Sequence, residues 1–298
     1  MRAIFLGNPP LGLATLKRLG EVAEIVLVVT QTEPPQNSRD TSLPVAEYAE
    51  QKGWKTVTPD TPDEITGLVK QAEPDVCVVA AYGHIIPRTA LALADGRWLN
   101  VHSSLLPRYR GASPIQQAIL DDAGDTGATI MEVSDRVDAG AVVAQVEVPI
   151  GQTDTAATLT EKVAERGAGL LAEVLPDYVA GLSKPRPQDE DAATMTGTLT
   201  KADGRIDWNR DAAYLGRFIR AMQPWPGAWT EVDGKRMEIL EVADGSGPDG
   251  PPGTFDGPPL RATTGSDSLR IKRLKPAGKP TMPGDDWFRG RRVSGRFT

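Results

Sequence analysis

Two polar side chains lie two residues apart at the end of a short apolar segment, Trp98–His102. This segment is typical of a β-strand, in which residues i and i+2 point to the same face, so Asn100 and His102 are expected to project together. In open α/β sheets the carboxyl ends of the strands border the ligand-binding crevice. An amide beside an imidazole offers a donor to a developing oxyanion and a group suited to proton transfer. The pair therefore indicates acid–base catalysis. The alternative is a polar pair that only hydrogen-bonds to the backbone.

A third group is needed to set the charge of the imidazole or to move the proton. Asp135 and Asp138 lie in a loop between two predicted strands, and Gly140 after them suits a tight turn. From the residues alone, either aspartate can be the partner of His102, and either can be an ordinary turn residue.

Other signatures of chemistry are weak or missing in the sequence. Pro9 stands where a dinucleotide-binding fingerprint needs a glycine, which disfavours a Rossmann dehydrogenase. No cluster of Cys, His and carboxylates has the spacing of metal ligands, so no metal is expected. The single cysteine, Cys77, lies in an apolar run and is expected to be a buried structural residue. No stretch approaches the ~18 apolar residues of a membrane span, and the chain starts with a strand-like segment, so we expect a cytoplasmic protein.

The first half of the chain alternates strand-like and helix-like segments, which is typical of a doubly wound α/β fold. We therefore expect a Rossmann-like, mostly parallel sheet, in which the apolar run Asp75–Ala81 is a strand buried on both faces. A long helix is predicted from about 156 to 182, with Pro176 kinking it or ending it early. The other predicted elements are Ala3–Leu6, Ile25–Val29, Val45–Gln51, Asp63–Gln71, Pro114–Leu120, Ala128–Val133 and Val142–Val148.

The sequence changes character after residue 182. The segment 183–197 contains two prolines and several charges, and we expect an extended, solvated linker. Beyond it, one helix around 211–222 and several short segments separated by turn signals predict a small C-terminal β-barrel of the oligonucleotide-binding (OB-like) type. The expected division is a domain at 1–182, a linker at 183–197 and a second domain at 198–298.

Charge is distributed unevenly along the chain. The net charge of the 298 residues is −7, but residues 201–298 hold 17 Lys and Arg against 13 Asp and Glu, a net of +4 that leaves −11 for residues 1–200. Nine of the basic residues fall in the last thirty positions. A basic end on an acidic body favours contact with a polyanion. The alternative is a frayed, solvated tail.

Several segments together resemble the catalytic core of the folate-dependent formyltransferases. The core pattern is Asn-x-His, then a Ser-Leu-Leu-Pro loop, then a distant Asp-x-Gly, and all three occur here in that order. The resemblance covers most of residues 1–182 and implies a formyltransferase catalytic domain there. The similar segments are AYGHIIP (81–87), NVHSSLLPRYRGASPIQQAI (100–119), TGATIMEV (126–133) and VDAGAVV (137–143).

The resemblance also implies roles for particular residues. Asn100, His102 and Asp138 would be the catalytic trio, with 10-formyltetrahydrofolate as co-substrate and an amine as acceptor. Asn100 and a protonated His102 would stabilise the oxyanion, and Asp138, with a water molecule, would move the proton. The residues implied to bind the folate are Tyr82, His84 and Ile86 near the pterin, and Ser104, Leu105, Leu106 and Pro107 in the loop.

The second half is similar to the C-terminal domain of the family members that act on methionyl-tRNA. The similar segments are TLTKADGRIDW (198–208), IRA (219–221) before PWPGAW (224–229), and LKPAGK (274–279). The similarity implies that residues 198–298 bind tRNA, that the partner is initiator methionyl-tRNA in translation initiation, and that the protein is a monomer. A barrel with a basic end is a plausible surface for tRNA phosphates.

One loop departs from that pattern. In the tRNA-dependent members the loop after the second strand is usually rich in glycine and basic residues. Here 31–44 (QTEPPQNSRDTSLP) has Arg39 as its only positive charge, beside Glu33 and Asp40. One alternative is therefore an enzyme, a dimer by resemblance, that formylates a nucleotide-linked amino sugar. Another is a non-catalytic RNA-binding protein on an enzyme scaffold, which would not bind folate.

Overall fold

The structure is a computed structural model and describes residues 1–31, 44–291 and 294–298. The chain forms two compact units. Unit 1 consists of Met1–Pro114, Asp125–Pro149 and Thr160–Thr196, and unit 2 of Ile115–Gly124, Ile150–Leu159 and Gly197–Thr298. Two short pieces from within the predicted first domain, 1–182, therefore belong to the unit that is formed mainly by residues 197–298.

The described residues of unit 1 form nine strands. They are β1 (Arg2–Gly7), β2 (Glu24–Val29), β3 (Thr56–Val57), β4 (Val76–Ala80), β5 (Trp98–His102), β6 (Arg110–Gly111), β7 (Asp125–Glu132), β8 (Val142–Pro149) and β9 (Met195–Thr196). Seven of them form one sheet in the order β3-β2-β1-β4-β5-β7-β8, and β6 pairs with β9. The sheet is parallel from β3 to β5, and β7 is antiparallel to β5 and β8. The predicted Rossmann-like, mostly parallel sheet is confirmed.

Helices cover both faces of this sheet. Alternate residues of its central strands point to opposite faces, so they pack against different helices. The helices in the first two thirds of the chain are α1 (Leu11–Val22), α2 (Pro44–Gln51), α3 (Glu64–Ala72), α4 (Arg88–Leu91), α5 (Pro114–Leu120) and α6 (Ala156–Val179). Ala3 and Phe5 of β1 pack with α1, α2 and α6, whereas Ile4 and Leu6 pack with α3 and α4. Every residue of β4 is buried, and burial raises the pKa of the Cys77 thiol.

The longest helix, α6, includes Pro176 and ends at Val179, three residues before the predicted end. The proline lies in the last turn, so the hydrogen bond that it cannot donate and the distortion from its ring affect only the end of the helix. In the described part of the chain, no helix combines the length and the apolar character needed to cross a membrane.

Asn8 joins the carboxyl ends of three strands in unit 1. Its Nδ2 donates to the carbonyl oxygens of Ala81 (3.1 Å) and Tyr82 (2.8 Å), which follow β4. Its Oδ1 accepts from Thr30 Oγ1 (3.1 Å) and from the Gln31 backbone N–H (3.2 Å), which follow β2. Because all four bonds come from one buried amide, Asn8 fixes the edge of the sheet at which ligands bind in such folds.

Unit 2 is built on an antiparallel, barrel-like sheet. Its elements are α7 (Ala212–Ala221), β10 (Trp229–Val232), β11 (Lys235–Asp244), β12 (Thr254–Asp256), β13 (Arg261–Thr263), β14 (Ser268–Pro276), β15 (Met282–Pro283), α8 (Gly284–Arg291) and β16 (Gly295–Arg296). The strand order is β10-β11-β14-β13-β12-β16, and β15 pairs with β14. The predicted C-terminal barrel is confirmed, and β12, β15, α8 and β16 are additional elements that the sequence pattern did not indicate.

The C-terminal residues are part of the core of unit 2. Phe297 is buried. Its ring stacks on that of Trp208 with 5.2 Å between the ring centroids, and its centroid lies 4.5 Å from that of Phe255. The backbone of Thr298 exchanges two hydrogen bonds of 2.9 Å with Glu231. The alternative of a frayed tail is therefore wrong for the described residues.

We predict that Asn8→Ala lowers the free energy of unfolding by about 1–3 kcal/mol, because buried carbonyl and N–H groups lose their partner. Chemical denaturation followed by circular dichroism measures the change. Asn209→Ala is the matched control, since the side chain of Asn209 is exposed and donates to Asp207. Equal stability of the Asn8→Ala variant and the native protein would contradict the role given to this amide.

Candidate active site

Strand β5 carries Asn100 and His102 to the carboxyl edge of the unit 1 sheet. Asn100 pairs with Val79 of β4 on one side and with Met131 of β7 on the other, and His102 pairs with Thr129. A strand that is bonded on both sides has a fixed register, so the two side chains lie on the same face. Asn100 is half-buried and His102 is 6% exposed.

Both ring nitrogens of His102 lie near oxygen atoms. Nε2 is 3.0 Å from the carbonyl oxygen of Tyr109, which can only accept, so Nε2 carries a proton. Nδ1 is 3.6 Å from Oδ2 of Asp138, which is longer than a direct hydrogen bond. Nδ1 is therefore the nitrogen that can gain or lose a proton beside a carboxylate.

Asp138 lies in the loop between β7 and β8 with a left-handed backbone, φ +48°. Its Oδ2 accepts a hydrogen bond of 2.8 Å from the backbone N–H of Gly111. The left-handed residue of this turn is thus the aspartate itself. Gly140 is required for a different reason, because a Cβ at that position would collide with the carbonyl oxygen of Glu132.

Asp135, the other candidate from the sequence, points elsewhere. Its carboxylate is 3.0 Å from Nη2 of Arg88, and both side chains are more than half exposed. Only Asp138, of the two aspartates, has a carboxylate beside His102.

The Ser104–Pro107 loop follows β5 directly and is closed by its own hydrogen bonds. Oγ of Ser104, which is fully buried, donates to the carbonyl oxygen of Arg108 at 2.6 Å, and the Leu106–Pro107 peptide is cis. The Leu105 side chain packs over Gly127 of β7, where any Cβ would collide with the Val146 carbonyl oxygen. The loop therefore has a defined shape next to His102.

Thr129 of β7 holds this loop by hydrogen bonds to its backbone. Its buried Oγ1 donates to the Ser104 carbonyl oxygen (2.6 Å) and accepts from the Leu106 backbone N–H (3.1 Å). Nε2 of Gln145 donates both to Thr129 Oγ1 (3.0 Å) and to the Leu106 carbonyl oxygen (2.8 Å). The sequence analysis missed Thr129 and Gln145, because they lie in predicted strands where nothing distinguishes them from structural residues.

The segment from Tyr82 to Ile86 follows β4 at the same edge of the sheet. The Tyr82 and Ile86 side chains are buried in the core against α3 and α4, and burial raises the pKa of the Tyr82 phenol. His84 is exposed, with its Nε2 3.1 Å from Gln31 Nε2, and Ile85 is 83% exposed. Of this segment, the side chains of His84 and Ile85 and the backbone are thus available to a ligand. Ile85 was not singled out by the sequence.

The non-basic loop 31–44 lies largely outside the described residues, which exclude 32–43. Within the described ranges, no group of three His, Cys, Asp or Glu side chains is placed to hold a metal ion.

The sequence matches two family models. Residues 2–175 match the model described as formyl transferase, and residues 198–292 match the formyl transferase C-terminal domain. The chain belongs to the formyl transferase family.

Curated relatives that are methionyl-tRNA formyltransferases align over nearly the whole chain. The protein from Roseiflexus sp. (strain RS-1) is 40% identical over 308 residues, which cover 99% of this chain and 94% of the relative. The protein from Myxococcus xanthus (strain DK1622) is 37% identical over 301 residues, which cover 98% and 96%.

Solved structures share the fold at low identity. HypX from Aquifex aeolicus in complex with tetrahydrofolic acid has a TM-score of 0.67 at 19% identity. The match covers 97% of this chain and 47% of HypX, so the chain spans about half the length of that protein. The N-formyltransferase from Helicobacter canadensis, in complex with folinic acid and dTDP-3-aminofucose, has a TM-score of 0.67 at 15% identity, with coverage of 94% and 99%.

We predict that Thr129→Val lowers the free energy of unfolding by about 1–3 kcal/mol and weakens the binding of a folate analogue. Valine keeps the shape of the side chain but leaves the Ser104 carbonyl and the Leu106 N–H without their partner. Denaturation and calorimetric titration with folinic acid measure the two effects. Thr126→Val is the control on the same strand, because the buried Thr126 Oγ1 has no hydrogen-bond partner among the described residues. The same response from both variants would refute the anchoring role of Thr129.

Proposed function

We propose that this protein transfers the formyl group of 10-formyltetrahydrofolate to the free amino group of methionine carried on initiator tRNA. The observation that carries the proposal is the full-length similarity to methionyl-tRNA formyltransferases, in both halves, together with the His102–Asp138 pair at the sheet edge. The Helicobacter relative contains a folate and an amino sugar, and its low identity supports only the fold.

The proposed reaction exchanges one C–N bond for another. The amine of the acceptor attacks the formyl carbon, and the carbonyl oxygen becomes an oxyanion. The bond between the formyl carbon and N10 of the folate then breaks. One proton leaves the attacking nitrogen and one proton reaches N10, so atoms and charge balance.

The side chains at the carboxyl edge of β5 match these needs. The Asn100 amide and the Nδ1–H of a protonated His102, the ring N–H that is not bonded to Tyr109, supply hydrogen bonds to the oxyanion, which typically contribute about 10²–10³ in rate each. Nδ1 of His102 and Oδ2 of Asp138, 3.6 Å apart, form the proton route between the two nitrogens. The backbone N–H of Gly111 donates a hydrogen bond of 2.8 Å to Oδ2 of Asp138 and helps to hold the carboxyl group in place.

The folate lies, in this proposal, along two segments that follow neighbouring strands. Tyr82–Ile86 follows β4, and Ser104–Pro107 follows β5. The exposed His84 side chain and the closed Ser104–Pro107 loop are next to the strand ends that carry the catalytic residues. Parallel pairing of β4 and β5 brings the two segments to the same edge.

The tRNA contacts, in this proposal, include basic residues of unit 2. Several of these residues pair with carboxylates of the same unit, as Lys272 does with Glu241 (2.9 Å) and Arg270 with Asp285 (3.4 Å). The side chains of Lys272 and Arg270 are both 46% exposed, so the pairs contribute little to stability and leave the cations accessible to phosphates. The basic composition of the C-terminal end thus supports RNA binding, and we propose that the protein acts as a monomer.

We predict that His102→Ala lowers kcat at least about a hundredfold and leaves folding intact, because it removes both the oxyanion donor and the proton relay. Asp138→Asn is expected to lower kcat by a similar factor. Steady-state formylation kinetics, with circular dichroism for folding, test both variants. Asp135→Asn is the matched control and should behave as the native protein, since its carboxylate pairs with Arg88. Near-native turnover by His102→Ala would overturn the catalytic assignment.

We predict that incubation with 10-formyltetrahydrofolate and charged initiator tRNA gives formylmethionyl-tRNA, identified by mass spectrometry after deacylation. Binding of the tRNA should weaken steeply between about 50 and 200 mM salt, because phosphate contacts release counterions. A nucleotide-linked amino sugar is tested in parallel. Formylation of the sugar without formylation of the tRNA would replace the proposed acceptor. No folate binding would support a non-catalytic protein.

A further inference from the structure

The segment between the two predicted domains is bonded to the loops that carry the candidate catalytic residues. At one point Arg186 and Val142 exchange two backbone hydrogen bonds of 2.8 Å. Further along, the Arg110 N–H donates to the Thr194 carbonyl oxygen (2.8 Å), and β9 pairs in parallel with β6. The segment was predicted to be a solvated linker, and its charged side chains are exposed, but its backbone is hydrogen-bonded to other parts of unit 1.

Gln188, in the middle of this segment, clamps the Asp138 turn. Its Nε2 donates to the carbonyl oxygens of both Asp138 and Gly140, each at 2.8 Å. The two carbonyls belong to the turn in which Asp138 has its left-handed backbone. One amide group therefore bonds the backbone of the turn whose Asp138 carboxylate accepts from Gly111.

Arg110 determines which way the Gln188 amide points. Nε and Nη2 of Arg110 donate to Gln188 Oε1 at 3.0 and 2.8 Å, so the amide oxygen faces the guanidinium and the NH₂ faces the two carbonyls. The Arg110 side chain is only 6% exposed, and its remaining edge donates to Glu190. The hydrogen bond from Arg110, with that from Arg136, holds the pKa of Glu190 below its usual value. A guanidinium occupied on both edges has no alternative orientation.

The same segment also hydrogen-bonds the backbone around Arg110, where Tyr109 and Gly111 contact His102 and Asp138. Thr194 Oγ1 accepts from the Tyr109 N–H at 2.7 Å, and the Tyr109 carbonyl oxygen faces His102 Nε2. Thr196 Oγ1 donates to the Arg110 carbonyl oxygen at 3.0 Å, in the peptide group whose N–H, that of Gly111, donates to Asp138. The segment thus touches the supports of both the imidazole and the carboxylate.

We infer that Gln188 and Arg110 are positioning residues that hold the Asp138 carboxylate at its working distance from His102. The inference rests on the proposed function, in which these two groups move the proton. If the hydrogen bonds from Gln188 are lost, the turn around Asp138 is no longer held in one geometry. Misplacement of a reacting group by a fraction of an ångström lowers kcat with little effect on substrate binding.

The test uses the full-length protein with two substitutions and one control. Gln188→Met removes both the donors and the acceptor, and Gln188→Glu keeps the contact with Arg110 but places carboxylate oxygen opposite two carbonyls. Lys184→Met is the matched control, because Lys184 is an exposed residue of the same segment. We expect kcat to fall about tenfold or more in both Gln188 variants, with KM for folate and tRNA changed less than about twofold, on the scale of misplaced catalytic groups.

A spectroscopic readout separates positioning from general destabilisation. The chain has only two histidines, so ¹⁵N-histidine labelling gives one set of ring signals for His102 and one for His84. At fixed pH, the His102 ring shifts should move in both Gln188 variants, whereas the His84 shifts and the spectrum of Lys184→Met stay native. If Gln188→Met does not fold, Gln188→Glu, which retains the pairing with Arg110, gives the answer.

The outcomes separate this inference from the proposed function. Native kcat in Gln188→Glu, or a fall in kcat with unchanged His102 ring shifts, overturns the positioning role. An inactive Asp138→Asn variant beside a fully active Gln188→Met variant overturns the inference alone. A fully active Asp138→Asn variant overturns the catalytic assignment and the inference with it.

Discussion

The approach of the Asp138 carboxylate to the His102 imidazole is the constraint on which the rest of unit 1 depends. The two groups come from different elements of the fold. Each therefore has to be held in place separately to keep Nδ1 of His102 and Oδ2 of Asp138 3.6 Å apart. For the imidazole this is achieved by pairing β5 between β4 and β7 and by the contact with the Tyr109 carbonyl. For the carboxylate it is achieved by the Gly111 N–H and by the turn around residue 138. Because β7 and β8 are antiparallel, the short loop 133–141 can join them and carry Asp138, whereas a parallel pair would need a crossover connection.

The fold could largely be predicted from the sequence, because its signals are local. Apolar runs such as the one at Cys77 mark buried strands, and helical spacing marks the covering helices. The short strands β12, β15 and β16 contain two or three residues and were missed, because no periodicity can be recognised over such lengths. The helix α8 was missed for a similar reason: its charges and glycines give no apolar stripe that would distinguish it from a tail.

The candidate site could be predicted only in part, because most of its contacts join residues that are far apart in the sequence. Asn100 and His102 are two residues apart, so strand geometry alone relates them. Asp138 could be chosen over Asp135 only through the family resemblance, since no pattern along the chain reports which carboxylate reaches the imidazole. The supports of the site depend on single hydrogen bonds between distant positions. Asn8 bonds to Tyr82 and Arg110 bonds to Gln188, and neither pair leaves a periodic trace in the sequence.

The complete burial of Cys77 in β4 has a practical consequence for studying this protein in solution. It is the only sulfhydryl in the 298 residues, and it is inaccessible within the sheet. Maleimide dyes would therefore find no native target. A single cysteine introduced into each of the two units would accept a fluorophore selectively, and energy transfer between the dyes would then report whether the separation of the units changes when substrates bind.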